Sequence, residues 1–299
     1  MGLKADFDIL INRNEKGYQS YKEQIANMER EYRDLSSRFD LLIGTINAER
    51  LSFRKEIRIL YDFLMAMGGS LKEEKKISIF DFVDENPAQS MLCTEIEGTE
   101  NVDYKGIDGW TVVAGLSFGA IGLTANLINK YNTNKEIYEK FLLEVENKES
   151  EYIKDLKSKN NNISSLKDAI EIAKIYRSII VTVKDTISEK IIPELDFIRS
   201  FLYADAIREL VLEGESLETN SIEPCNIAEY KGTKQDIHYQ FIKNTFDFYR
   251  ISTQFFKKTV LTDILEDRVV TEQEKADFNE QVQLIKNQIN SLEDMKVVK

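Results

Sequence analysis

Apolar residues recur at steps of three and four from Ile11 to Met67, through Tyr18, Tyr21, Ile25, Met28, Tyr32, Leu35, Phe39, Leu42, Ile46, Phe53, Leu60 and Phe63, with Asn14, Glu49 and Glu56 as polar members of the same series. A seven-residue repeat kept over that span predicts one left-handed coiled-coil helix about 85 Å long. The three polar members read as register-setting or water-facing positions. Gly17 and Gly44 each cost about 1 kcal/mol against alanine and mark expected bends, and Gly68-Gly69 marks the end.

A second series follows Thr133 and Glu136, whose spacing is that of a capping box. It runs through Tyr138, Leu142, Val145, Glu149, Tyr152, Leu156, Lys159, Ile163, Leu166, Ile170, Ala173, Arg177, Ile180, Lys184, Ile187 and Ile191. Its phase survives Asn160-Asn161-Asn162, which predicts one continuous helix; a turn at the asparagines is the alternative. Pro193 should end or kink this helix, with an amphipathic helix continuing from Glu194 to Leu212. An acidic loop from Gly214 to Gly232 leads to a fourth helix, starting at Thr233 and Asp236 and running from Ile237 to about Leu265. Its aromatic face holds Tyr239, Phe241, Phe246, Phe248, Tyr249, Phe255 and Phe256, a core pattern. Thr271 with Glu274 opens a last helix whose seam is Phe278, Val282, Ile285, Ile289 and Leu292.

The two long helices are matched in length, which suits an antiparallel pair joined at one tip. The fold class expected is therefore all-α: an elongated antiparallel coiled-coil helical bundle with a small head. Residues 1–69 and 133–299 form the bundle, and residues 70–132 the head, with one short strand or helix around Ile77–Val83 and an acid-rich run from Asp81 to Asp103.

The charge pattern breaks once. From Gly109 to Asn129 there is no Asp, Glu, Lys or Arg, in a chain that is 31% charged. As a helix this stretch would span roughly 31 Å, about the hydrocarbon thickness of a bilayer. Trp110, Val112, Val113, Leu116, Phe118, Ile121, Leu123, Leu127 and Ile128 are the side chains that would enter lipid. Gly115, Gly119 and Gly122 would let neighbouring helices pack closely, and Trp110 and Tyr131 suit the interface. Thr111, Ser117, Thr124 and Asn126 keep the stretch only moderately apolar, so a helix buried on all sides within a bundle would look similar.

Composition narrows the remaining options. Three prolines and 13 glycines in 299 residues favour long uninterrupted helices. A net charge of −12 argues against nucleic acid as a partner. His238 is the only histidine, and Cys93 and Cys225 are the only cysteines, so a His-rich zinc site is excluded and a disulfide framework is not indicated. The glycines of 115–122 are followed by no Gly-Lys-Ser/Thr and match neither phosphate-binding fingerprint. No catalytic residue, metal or cofactor is expected, and the protein reads as a non-enzyme. The first residues hold no apolar core of a signal peptide, so synthesis in the cytosol is expected, with any export by a non-classical route.

Ile11–Met67, Gly109–Asn129 and Tyr138–Ile191 together resemble the α-helical pore-forming toxins of the cytolysin A, haemolysin BL and XaxAB kind. The resemblance is one of architecture. It implies a soluble protein that swings out an apolar segment on meeting a lipid membrane, inserts it, and assembles as a homo-oligomer or with a second toxin component. The rival expectations are a soluble coiled-coil interaction scaffold, with 109–129 as a core helix, and a permanently membrane-anchored tether.

Overall fold

The computed structural model describes residues 3–68, 135–213, 223–257 and 270–295, and among them all regular structure is helical. The order is α1 (Leu3–Gly68), α2 (Lys135–Asp185), a π-helical turn (Thr186–Ile191), α3 (Ile192–Glu213), a 3-10 turn (Ile227–Tyr230), α4 (Asp236–Lys257) and α5 (Glu272–Asp294). The all-α class expected from the periodicity is the class observed. The chain divides into two compact units, one of residues 1–41 with 105–170 and one of residues 42–104 with 171–299.

In the first unit α1 and α2 pack along one narrow stripe. Phe7 and Leu10 meet Phe141 and Val145, with Phe7 stacked on Phe141 at 6.2 Å. Arg13 Nε donates to Glu149 at 2.8 Å, Tyr21 stacks on Tyr152 at 4.4 Å, and Lys167 pairs with Glu31 at 2.6 Å. The Tyr21 hydroxyl donates to Asp155 at 2.7 Å, and Lys159, only 5% exposed, lies 3.8 Å from the same carboxylate. Partners across the stripe stand 131 to 136 residues apart, so positions on the two helices rise together. The two helices therefore run parallel.

This corrects the expected antiparallel pairing of the long helices. Matched length carries no information on direction, because a stripe of apolar side chains fits a partner of either polarity. A parallel neighbour needs a crossover connection in place of a tip loop, and the 69–134 segment between α1 and α2 is long enough to be one. The expected head, 70–132, lies outside the described residues.

The second unit repeats the offset. Glu49 receives Lys184 at 3.1 Å, 135 residues away, with Arg177 at 3.9 Å, and the Arg199 guanidinium sits 5.3 Å from the centre of the Phe63 ring. Around these segments α4 and α5 pack antiparallel to each other, Phe255 meeting Phe278 at 5.9 Å while Gln288 donates to the Asn244 carbonyl at 3.1 Å. Phe53, Ile57, Leu60, Ile180, Ile187, Leu195, Phe241, Phe248 and Phe278 are fully buried together in this core. Each large side chain so buried contributes about 1.5–3 kcal/mol. The surroundings widen the buried face of α2 from a stripe at Val145, Tyr152 and Lys159 to two adjacent rows at Ile172, Ala173, Tyr176, Ile179, Ile180 and Val183. More helices surround it there.

The buried positions of α1 also depart from a strict heptad. After Phe39 they are Ile43, Ile46, Arg50, Phe53, Ile57, Leu60 and Leu64, so half of the expected series (Leu42, Glu49, Glu56, Phe63) is displaced by one residue. A straight helix drifts about 20° per heptad against a 3.5 repeat, and here the row at 39, 46, 53 and 60 is kept while its companion row moves one residue onward, to 43, 50, 57 and 64. Glu49 and Glu56 are accordingly half-buried flanks of the seam. Gly17 and Gly44 lie within α1, which runs unbroken through both.

The asparagine run at 160–162 is helical and exposed, so the continuous helix is the observed one. Pro193 does not end the helix either. Before it, the Ile192 N–H bonds to the Ile187 carbonyl, five residues back, and this wider turn precedes the pyrrolidine ring without ending the helix. Hydroxyls occupy neighbouring carbonyls: Thr186 donates to Thr182 O at 2.8 Å and Ser188 to Lys184 O at 3.1 Å.

Past α3, Gly232 at φ 73° turns the chain into α4, and its N–H is taken by Asp236 Oδ1 at 2.8 Å. Thr233 Oγ1 accepts from Gln235 N–H at 3.1 Å, so this start is an Asp- and Thr-based turn rather than a full capping box. Thr271 and Glu274 do form the full reciprocal box, and the α5 seam is the expected Phe278, Val282, Ile285, Ile289 and Leu292. The expected end of the fourth helix near Leu265, the Thr133 cap and the Ile77–Val83 piece lie outside the described residues.

Candidate functional site

The stretch singled out by its lack of charge, 109–129, lies outside the described residues, and with it Trp110, the glycines Gly115, Gly119 and Gly122, and the apolar side chains expected to enter lipid. Among the described residues no helix is long and apolar enough to cross a membrane. Their amphipathic stripes are largely taken up by contacts with one another. Three places in the second unit hold polar chemistry that packing alone does not require.

The first joins α3 to the chain before α4. The Cys225 N–H reaches the Leu202 carbonyl at 3.3 Å, which brings its thiol to 3.7 Å from Glu209. Cys225, Asp205 and Glu209 offer ligand atoms within 4.8 Å of one another. The arrangement is a hydrogen-bond cluster more than a metal cradle, because Asp205 already accepts the Tyr230 hydroxyl at 2.6 Å and pairs with Arg208 at 3.0 Å. Burial pushes the Cys225 thiol up, away from the thiolate a soft metal or a nucleophile requires. Burial, followed by the bond to Asp205, likewise raises Tyr230.

The second is a cleft of about 240 Å³, open mouth included, between the π-helical turn, α3, α4 and α5. Thr186, Ile191, Phe241 and Leu292 line it, with buried Glu194 and an ion pair between Lys190 and Glu293. It falls short of the 300–1,000 Å³ typical of sites for small organic ligands.

The third is His238, in the first turn of α4. The residue is 6% exposed, and its ring packs against Phe201 at 4.8 Å and Phe197 at 6.1 Å, both on α3. Its Nδ1 is buried and has no hydrogen-bond partner among the described residues. Burial lowers its pKa. A nucleophile pair of Cys225 with His238 is not assembled: the thiol turns to Glu209 and the imidazole to two phenyl rings.

Periodicity alone does not mark the buried group Asp155–Lys159–Tyr21, Arg50 or the surroundings of His238. Lys159 and Glu49 did stand inside their apolar series, and a charge at a seam position was the available signal. No family model, curated protein or solved structure matches this chain.

Proposed function

We propose that this is a membrane-interacting helical protein of the pore-forming type, which inserts residues 109–129 into lipid after a conformational change and assembles there as a homo-oligomer or with a second component. The observation that carries the reading is the uncharged run itself, long enough for a bilayer and flanked by Asp108 and Lys130. The observed polarity of the long helices supports a modified route. The uncharged run lies in the sequence between two helices that run parallel, so it is not the short tip loop of an antiparallel pair. Burial of Leu116, Phe118, Ile121 and Leu123 favours whichever apolar environment encloses them, at about 1.5–3 kcal/mol for each large side chain, and lipid need win only the difference.

Vesicle flotation with a trapped dye, at pH 7 and pH 5, tests the reading. Protein that stays in solution without lipid, floats with vesicles and releases dye is the expected result, with Leu116→Asp and Ile121→Asp both abolishing flotation at unchanged helicity. Protein that ignores vesicles in every condition overturns the reading in favour of a soluble scaffold, and protein insoluble without detergent overturns it in favour of a permanent tether.

A further inference from the structure

The second unit also contains a place, apart from residues 109–129, where a single proton would have a mechanical effect. We propose that His238 is an acid-sensitive latch between α3 and α4: uptake of one proton by its ring weakens the packing of these two helices and loosens the unit. The imidazole fills the space between Phe197 and Phe201, and Phe201 in turn lies 5.8 Å from Tyr230 of the 3-10 turn. A neutral ring serves there as an aromatic wedge. A charged ring would lose its hydration with no partner for Nδ1 among the described residues. Its position in the first turn of α4 adds to the cost, since the helix N-terminus carries partial positive charge.

Several charged groups on the neighbouring elements make contacts other than with the imidazole. On α3, Asp196 pairs with Arg199 at 2.8 Å, Asp205 holds Tyr230 and Arg208, and Glu194 lines the cleft beside Phe241. By the 3-10 turn, Lys231 lies over the Tyr239 ring at 5.7 Å. On α4, Asp236 accepts from Gly232 N–H at 2.8 Å and from Gln240 at 3.3 Å. Burial lowers the pKa of the imidazole. The folded ring therefore takes its proton at lower pH than the unfolded one, whose ordinary value is about 6.5. The stability contributed by the neutral ring is present above about pH 6.5 and is lost as pH falls below it. Cation–π attraction to the phenyl rings acts in the opposite direction, so the sign of the measured shift decides between the two effects.

Because the chain has a single histidine, the test is free of overlap. Full-chain protein labelled with ¹³C-histidine is titrated by NMR without lipid, and urea unfolding of the second unit is compared at pH 7.5 and 5.5 for the wild type, His238→Phe and His238→Gln. The expected result is a native titration midpoint below 6.5, with the wild type's folding constant falling by up to about tenfold more than that of either variant, the limit set by an unfolded histidine at about 6.5. A native midpoint at or above 6.5, or the same acid loss in a folded variant, overturns the latch. If His238→Phe does not fold, His238→Gln and the wild-type midpoint still decide.

Discussion

The bond between Tyr21 and Asp155 offers a direct measurement of how the long helices are aligned. Tyr21 is 8% exposed, its hydroxyl lies 2.7 Å from the Asp155 carboxylate, and the two residues belong to different helices 134 positions apart. A hydrogen bond to a charged acceptor is worth about 1.5–3 kcal/mol. The Asp155 side chain is 23% exposed, which brings the expected coupling to about 1–2 kcal/mol. Tyr21→Phe should lose about that much. Asp155→Asn should lose more, because it also removes the charge 3.8 Å from buried Lys159. The double variant, followed by urea unfolding and far-ultraviolet circular dichroism at pH 7, should then lose less than the two single changes together by about 1 kcal/mol or more. Additivity within about 0.3–0.5 kcal/mol would mean that the two side chains do not meet. That result would refute the parallel register, since an antiparallel α2 would set residue 21 against its distal half.

Two further outcomes follow from burial. Ile285→Ala on α5, fully buried, should destabilise the second unit by about 2–5 kcal/mol, whereas Leu284→Ala, 49% exposed, should stay within about 0.5 kcal/mol, as read by thermal or urea unfolding. Equal losses at the two positions would contradict the observed seam. Burial is the first cause raising Tyr21, Tyr230 and Tyr249 above the ordinary phenol value near 10. Their neutral forms are favoured by the fold, so this stability is intact below about pH 10 and drains away as pH climbs beyond it. Absorbance near 295 nm should show a group of tyrosines that ionise only as helicity collapses; a single smooth titration of all of them at the ordinary value would contradict this.

The helices were legible in the sequence because their cores are periodic. Phe278, Val282, Ile285, Ile289 and Leu292 were readable residue by residue, as was the Thr271–Glu274 box, since both signals are local. Direction was not legible: Tyr21 and Asp155 are charge- and hydroxyl-bearing residues like many others until the register brings them together. The one-residue drift after Phe39 was hidden because Leu42 and Ile43 are equally apolar, and only the partner decides which of them turns inward. At Pro193 the expected end is not found, but the wider turn just before it is the local departure from α-geometry that a helix-breaking residue brings, and the helix expected from Glu194 to Leu212 is Ile192–Glu213. His238 was visible as the lone histidine, but its phenyl neighbours come from a helix some forty residues earlier in the chain.

The constant separation of about 135 residues between α1 and its partner has a price during synthesis. Translation at about 5–20 residues per second leaves α1 outside the ribosome for roughly 7–27 seconds before the matching part of α2 has been made. Through that interval Phe7, Tyr21, Phe39 and Phe53 have no native surface to cover them, and a chaperone or a neighbouring nascent chain can occupy the stripe first. The α4–α5 pair, whose partners are close in sequence, has little loop entropy to overcome, so once made it closes after a far shorter wait than α1.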